Sequence, residues 1–391
     1  MRKRLCCWVV FMVAIALIAA AVPPEAIAAG KMKKYDVEQV DARHKQWGKK
    51  EWTTSTAKIN WRMSDCWGGI LNRAAVLHFC DSVRAASGGR LNITPFPTGA
   101  IVGANEIFDA VSKGTLDAGH TFPGYWKGKS EAFNLFASIP YGMDTESMTV
   151  WYYQGEGKKM MEELYSQFNL VPFFMGNGGQ ELGLFSKKKA ETMADYKGMK
   201  VRTVGWYMDI LTQAGVSVVP LPGPEVYLGL ERGVIDAAEF SCPAITYPMG
   251  FHEVGKYILS PGVHQPTSQL DLIINKNSWS KLPEDLKAIV EICAAETNQW
   301  YNTLCQFMNI EAIELLKKDG AIFTKMDDGS ILEFRKVTKE YLDGLKVKYP
   351  EVKKILESQE KFLVDIAPWR DMKSGVSPWP YEDFMKGKRL E

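Results

Sequence analysis

The sequence has almost no net charge. Across 391 residues, 47 Lys and Arg stand against 46 Asp and Glu. Without a net field, nothing draws the chain to nucleic acid or to an anionic membrane. Histidine is scarce, with five in all: His44, His78, His120, His252 and His264. No HExxH, CxxC, GxSxG or Walker loop is present. The common marks of metalloprotease, thiol-redox, serine-hydrolase and nucleotide chemistry are therefore missing, and no enzyme is expected. A periplasmic hydrolase or lyase is kept as the alternative. Long apolar runs are missing too, with one exception at residues 8–22. That run follows Arg2, Lys3 and Arg4, ends at Pro23-Pro24, and leads to the small residues Ala26-Ile27-Ala28. This is the order of a secretory signal peptide, and the run is short of the roughly 20 residues of a spanning helix. Cleavage after residue 28 removes three basic residues and one acid, leaving a net charge of −1.

Cysteine is sparse and unpaired by count. Cys6 and Cys7 leave with the signal, and five remain: Cys66, Cys80, Cys242, Cys293 and Cys305. An odd number does not pair completely within one chain. Cys293 and Cys305 fall on one expected helix, about 18 Å apart along it. A disulfide needs Cα atoms within about 7 Å, so these two are expected as separate buried thiols.

What the sequence does contain is a repeat. After a polar arm over residues 29–56, the pattern predicts strand 57–64, helix 70–86, strand 91–96, helix 105–113 with Asn105 as N-cap, and strand 116–120. The same order returns as strand 200–203, helix 206–214, strand 216–220, helix 224–232 and strand 234–238. Residues repeat as well. Pro95-Phe96-Pro97 leads to a helix and then KGTLDAG; Pro220-Leu221-Pro222 leads to a helix and then RGVIDAA. Each unit is a βαβ wind, with parallel strands and right-handed crossovers. The reading is an α/β fold with two similar lobes in one chain. The first takes residues 57–175 plus about 267–300, the second 176–266 plus about 301–330. Helices at 331–391 pack onto both as a C-terminal extension, and the Trp- and Pro-rich stretch 369–381 is expected to lie against a lobe.

In open α/β sheets, ligands sit beyond the carboxyl ends of the strands. Arg202 stands there, just before a helix. A guanidinium at that place forks onto a carboxylate, and the helix N-terminus adds partial positive charge. The commoner use of such an arginine is a surface ion pair. Glu239 closes the second repeat. Most acids at strand ends are solvated, but beside a bound anion a carboxylate has reason to hold a cation. Gln180 offers an amide oxygen to the same cation, since hard cations take such ligands. Tyr125, Trp126, Trp206 and Phe240 are candidates to wall the cleft, and Trp67 is a poorer one; most aromatics fill cores.

With SGGRLNITPFPTGAI, EIFDAVSKGTLDAGH, DYKGMKVRTVG and LERGVIDAAEF in hand, the chain resembles the solute receptors of tripartite ATP-independent periplasmic (TRAP) transporters. The resemblance runs from about residue 57 to the C-terminal helices. YWKGKSEAF, GNGGQELGLF and the AEF segment are similar to the branch that binds 2-oxo and 2-hydroxy monocarboxylates. It implies a periplasmic binding protein of type II-like architecture. Its two lobes are joined by crossing strands near residues 176 and 266 and by a long helix, and they close around the ligand. It implies a periplasmic location, a small organic acid as ligand, and membrane permease subunits as partners, and it admits a homodimer. By the resemblance, Arg202 pairs with the substrate carboxylate, while Gln180, Glu239 and the Phe240 carbonyl ligate a cation. Two positions depart from the branch: Phe240 replaces a usual Trp, and Gln265 follows Pro261-Gly262 where an acid is common. An uncharged Gln265 favours Na⁺ over Ca²⁺, because Arg202 and Na⁺ then balance Glu239 and one carboxylate. A dicarboxylate, an aromatic acid or a sugar acid is the alternative ligand on the same fold.

Overall fold

The computed structural model describes residues 55–67 and 70–374. The expected signal peptide, nearly all of the polar arm, Gly68, Gly69 and the end of the chain beyond residue 374 lie outside the described residues. Among those described, no helix is long and apolar enough to cross a membrane.

The first repeat folds as β1 (Ile59–Asp65), α1 (Ile70–Ala86), β2 (Leu91–Phe96), α2 (Ile107–Ser112) and β3 (Ala118–Thr121). Ala75, Val76, Phe79, Cys80 and Val83 of α1 are buried. Their spacing makes one apolar face that covers the sheet. β1 pairs in parallel with both β2 and β3. The chain then runs through α3 (Thr145–Gln154) and α4 (Gly157–Ser166) into β4 (Leu170–Asn177) and β5 (Leu184–Ser186).

The second repeat is β6 (Lys200–Arg202), α5 (Trp206–Gln213), β7 (Ser217–Val218), α6 (Val226–Glu231) and β8 (Ala237–Ala238). β6 pairs in parallel with β7 and β8, as β1 does with β2 and β3. After α7 (Pro243–Thr246), α8 (Phe251–Val254) and β9 (Tyr257–Ser260) the chain returns to the first sheet as β10 (Gln269–Asn275). Then come α9 (Lys276–Ser280), α10 (Glu284–Lys318), β11 (Ile322–Lys325), α11 (Asp328–Lys348) and α12 (Pro350–Ser374). The two sheets have orders β2-β1-β3-β10-β4 and β11-β9-β5-β8-β6-β7. In each, an antiparallel strand follows the parallel trio, β10 beside β3 and β5 beside β8. The fold is thus two α/β lobes of matching wind.

The repeated aspartates explain why the motif recurs. Asp117 accepts the Arg62 backbone N–H at 2.8 Å and donates its own N–H to the Arg62 carbonyl at 3.0 Å. Asp236 does the same with Lys200, at 2.8 Å in both directions. Each clamps the closing strand to the edge of the opening one. The closing strands are shorter than the sequence predicts. Leu116 N–H bonds back to the Ala110 carbonyl and Ile235 N–H to the Gly229 carbonyl, so the ladders begin only at Ala118 and Ala237. The expected Asn105 cap is also displaced. The helix is entered through a turn at Ala104–Glu106, where Glu106 accepts the Gly103 N–H at 2.8 Å.

α10 holds the lobes together. Its 35 residues make a rod about 50 Å long. Leu286, Val290, Cys293 and Ala294 join the core of the first sheet, and Leu316 joins that of the second. Between them Asn298 accepts the Gly176 N–H at 2.9 Å, Asn302 donates to the Asn177 carbonyl at 3.2 Å, and Asn309 accepts the Ala244 N–H at 2.8 Å. Cys293 and Cys305 are free on this unbroken helix, and Cys66, Cys80 and Cys242 are free and buried as well. The C-terminal pair straddles the lobes. Tyr341 of α11 donates to Asp209 on α5, while Gln359 of α12 donates to the Leu135 carbonyl and Ser358 accepts the Trp151 indole proton.

One buried acid in the first sheet gives a pH signature. Asp271 is fully buried on β10 and accepts hydrogen bonds from the Thr121 and Tyr165 hydroxyls. Burial pushes its carboxyl up to about 6, although both hydroxyls oppose the shift. A raised carboxyl favours the fold fully below its unfolded value near 3.9, and that contribution fades as pH climbs through 6. Asp271→Asn should remove on the order of 3 kcal/mol of pH-dependent stability across that window. Urea unfolding from pH 4 to 7 checks it; an unchanged slope in the variant would reject the assignment.

Candidate functional site

Arg202 ends β6 and is buried to 1% exposure, rare for an arginine without a role. Its Nε donates to the Leu221 carbonyl at 3.1 Å, and Nη1 donates to the Glu239 carbonyl at 2.8 Å and to Glu239 Oε1 at 3.2 Å. Nη2 has no protein acceptor among the described residues. The Phe240 ring lies 5.4 Å from the guanidinium carbon, a cation–π contact. The arginine is therefore held in place by backbone carbonyls rather than free to swing.

Around it lies a cavity of about 40 Å³. Trp67, Phe122, Tyr125, Phe240 and Tyr301 give it aromatic walls; Glu181, Arg202, Ser241, Gln265 and Ser268 give it polar ones. The Trp67 indole donates to the Tyr125 hydroxyl at 2.9 Å, tying two wall residues together. The Tyr301 hydroxyl is buried without a hydrogen-bond partner among the described residues. At the rim the lobes meet: Asn134 accepts the Trp206 N–H at 3.1 Å, Glu131 accepts the Trp206 indole proton at 2.7 Å, and Lys127 pairs with Asp209.

Behind the cavity is a charged knot. His264 Nε2 lies 3.3 Å from Glu181 and 3.4 Å from Glu239, with all three side chains almost fully buried. Gln265 donates to Glu181 at 2.8 Å, and the Tyr207 ring stacks 5.0 Å from the imidazole. The loops that bring these groups together touch closely. A Cβ on Gly262 would sit 2.2 Å from the Glu181 carbonyl oxygen, so only glycine lets the 261–265 turn dock there. Glu181 N–H then bonds to the Gln265 carbonyl at 3.1 Å. Burial raises the Glu181 carboxyl to about 7, against the pull of His264. Burial would also raise Glu239, but Arg202 and then His264 outweigh it and hold the carboxyl below its usual range. Burial alone would lower His264; the two carboxylates instead lift it to about 9.

The structure brings Arg202, Tyr125, Glu239, Phe240 and Gln265 to this place. It does not bring three others. Gln180 is exposed and outside the cavity lining, and Glu181 takes the inward position. The reason is the turn at Gly179, in the left-handed region at φ +80°, where Asn177 accepts the Gly179 N–H at 2.7 Å. Trp126 is buried away from the cavity, its indole donating to Thr121 at 3.1 Å and its ring 5.1 Å from Phe108. It shares the tight turn Pro123–Trp126 with Tyr125, and successive residues of such a turn point about 120° apart. Trp206 is buried at the rim rather than on the cavity wall. Sequence pattern alone does not single out Glu181, His264, Ser268 or Tyr301, and it underrates Trp67, whereas Phe122 and Ser241 lie in the stretches that follow strands, where candidates are expected. The one usable signal is His264 inside the Pro261-to-Gln265 turn.

Glu239 Oε2 is buried and ion-paired to His264 Nε2 at 3.4 Å, and one ligand atom from each of Glu181, Glu239 and His264 falls within 4.8 Å of the others. These groups fit a bound cation. Residues 70–348 match the model of the bacterial extracellular solute-binding protein family 7. A monocarboxylate 2-oxoacid-binding periplasmic protein of Nostoc sp. is 30% identical over 330 residues, covering 83% of this chain and 89% of its own. A TRAP periplasmic solute-binding protein of Pseudoalteromonas atlantica, solved with sodium and pyruvate, superposes with a TM-score of 0.78 at 27% identity, covering 85% of this chain and 100% of that one. The counterpart from Colwellia psychrerythraea, solved with calcium and pyruvate, gives 0.78 at 28% identity, covering 84% and 99%.

Proposed function

The chain belongs to the bacterial extracellular solute-binding protein family 7, and we propose on that premise that it captures a small 2-oxo or 2-hydroxy monocarboxylate, of the pyruvate or lactate kind, for a TRAP permease. The observation that carries this reading is the buried, pre-positioned Arg202 on the wall of a very small cavity. With Nε and Nη1 committed to protein oxygens, Nη2 is left to donate to one carboxylate, a charge-assisted contact. The volume of this inner cavity suits a guest of a few non-hydrogen atoms, because one water already needs about 10–15 Å³ on this scale, while a neighbouring cleft of about 340 Å³ also borders Arg202 and Tyr125. A sugar acid or an aromatic acid would require the walls to move apart.

In this reading the carboxylate accepts hydrogen bonds from Arg202 Nη2. The 2-oxygen accepts a hydrogen bond from the Tyr301 hydroxyl, otherwise unpartnered, and the amide of Gln265 lies beside it. Trp67, Phe122, Tyr125 and Phe240 exclude water, which strengthens each polar contact. The rim contacts of Trp206 with Glu131 and Asn134 hold the lobes shut over the guest. Cation ligation passes from Gln180 to Glu181, with Glu239 and His264 beside it and the Phe240 carbonyl as a further oxygen. A cation there supplies positive charge near the 2-oxygen. No step makes or breaks a covalent bond, so the protein is read as a receptor and not an enzyme.

A thermal-shift panel tests this. Pyruvate and lactate should raise the melting temperature by several degrees, since free ligand at 100 times Kd adds about 2.7 kcal/mol. A larger shift with malonate, picolinate or glucuronate sinks the monocarboxylate assignment. Appearance of a new product by mass spectrometry on incubation sinks the receptor reading itself.

A further inference from the structure

Away from the ligand cavity, α11 and α12 pack against each other, and a groove of about 710 Å³ lies between them and the segment 139–143. Its walls are apolar, with Ile139, Met143, Leu332, Leu342, Leu356 and Leu363. Leu332 is 64% exposed, so the groove is open to water. An open apolar groove with a polar rim marks an interaction site. Two buried polar groups in its lining are also left over. The Gln359 amide donates to the Leu135 carbonyl at 2.6 Å, but its own oxygen has no hydrogen-bond partner among the described residues, and neither has the Thr338 hydroxyl. Both side chains are almost fully buried. A buried oxygen without a donor is costly, which favours an occupant that brings one. The rim is basic. Lys339 pairs with Asp343 and Lys346 with Glu360, but Arg335 and Lys336 have no carboxylate partner among the described residues.

The chain itself supplies an occupant of matching chemistry. α12 ends at Ser374, and residues 375–391 follow it. Within them Pro378-Trp379-Pro380-Tyr381-Glu382-Asp383-Phe384-Met385 combines three aromatics with two acids and holds no base. The Trp379 indole and the Tyr381 hydroxyl are donors of the kind the groove lacks. The prolines favour extended backbone, the form that fits a groove. Reach suffices as well. Leu363 stands about 16 Å before Ser374 along the helix. Trp379, five residues past Ser374, reaches up to about 17 Å in extended chain. We infer that the C-terminal segment 378–385 folds back into the groove between α11 and α12 of its own chain, with its rings on the apolar walls and its two acids on the Arg335 and Lys336 rim. The docked segment braces the turn behind the ligand cavity. Tyr141, in the groove wall, holds φ +59°, a left-handed conformation uncommon outside glycine. Its N–H bonds to the carbonyl of Val263, the residue before His264, at 3.0 Å, and its hydroxyl donates to the Ile331 carbonyl of α11 at 2.9 Å.

The test uses the full chain, as an equal mixture of isotope-labelled and unlabelled protein, treated with a zero-length carbodiimide that joins amines to carboxylates. Mass spectrometry should find Glu382 or Asp383 joined to Lys336 or Lys339, with both peptides from the same isotope pool. Links of mixed isotope would mean that a second copy fills the groove. Links from the segment only to other surfaces, or none, would mean that it lies elsewhere. Each of these results overturns the proposal. A second measurement reads the anchor: Trp379→Ala should raise the rate of tryptic cleavage after Lys386 about fivefold or more, because cleavage tracks the population of the released segment. An unchanged rate would overturn the proposal too. Neither readout involves the bound acid, so the receptor reading stands or falls separately.

Discussion

Arg202→Ala should weaken binding of a pyruvate-like acid at least tenfold, about 1.4 kcal/mol or more, and destabilise the fold as well. The two effects have one cause. The guanidinium is the positive wall of the cavity and also the partner of Glu239, both groups being 1% exposed. Removing one member of a buried ion pair leaves the other uncompensated, a cost of about 3–5 kcal/mol. It also strips donors from the Leu221 and Glu239 carbonyls. Arg202→Lys separates the roles. A lysine keeps the charge and part of the stability but lacks the planar fork, so binding stays weak while the melting temperature recovers. Calorimetry with differential scanning measures both. Unchanged affinity in a folded alanine variant would remove Arg202 from recognition.

The second large effect belongs to His264. In chelator-treated protein, His264→Ala should lower stability by about 3–5 kcal/mol, because two carboxylates are left facing each other without a bridge. Adding Glu181→Gln should restore much of the loss, since it removes one of the two charges. That rescue is what a merely space-filling histidine would not show. The pH dependence has a definite sign. The folded value of about 9 exceeds the unfolded value near 6.5, so the contribution of His264 is complete below pH 6.5 and disappears as pH rises through 9. Glu181, lifted to about 7, adds a slope of the same sign at lower pH. Wild-type chemical denaturation between pH 6 and 9.5 should therefore show falling stability. The double variant, His264→Ala with Glu181→Gln, lacks both titrating groups and should give a flatter profile. A flat wild-type profile would contradict the charged knot.

The lobes are legible in the sequence because their signals are local. Gly114 and Gly233 both adopt the left-handed region that ends a helix, and Asp117 and Asp236 both clamp the opening strand three residues later. Arg202 and Glu239 are legible for the same reason, each standing where a strand of a wound sheet ends. Gln180 misleads because a turn at Gly179 decides which neighbour faces inward, and one residue of register exchanges the two sides. Trp126 misleads because a tight turn points adjacent aromatics apart. Glu181 and His264 are 83 residues apart and meet only through the docking of Gly262 on a backbone. No local pattern announces a contact of that kind.

The helix that threads both lobes has a consequence for the working cycle. Three asparagines pin it to the backbone of the crossing segment and of α7, so the lobes do not drift independently. Any swing that admits the acid has to carry these three contacts along with the spindle or break them. Substitutions at Asn298 or Asn302, which touch no guest, are then places where residence time is tuned without altering selectivity.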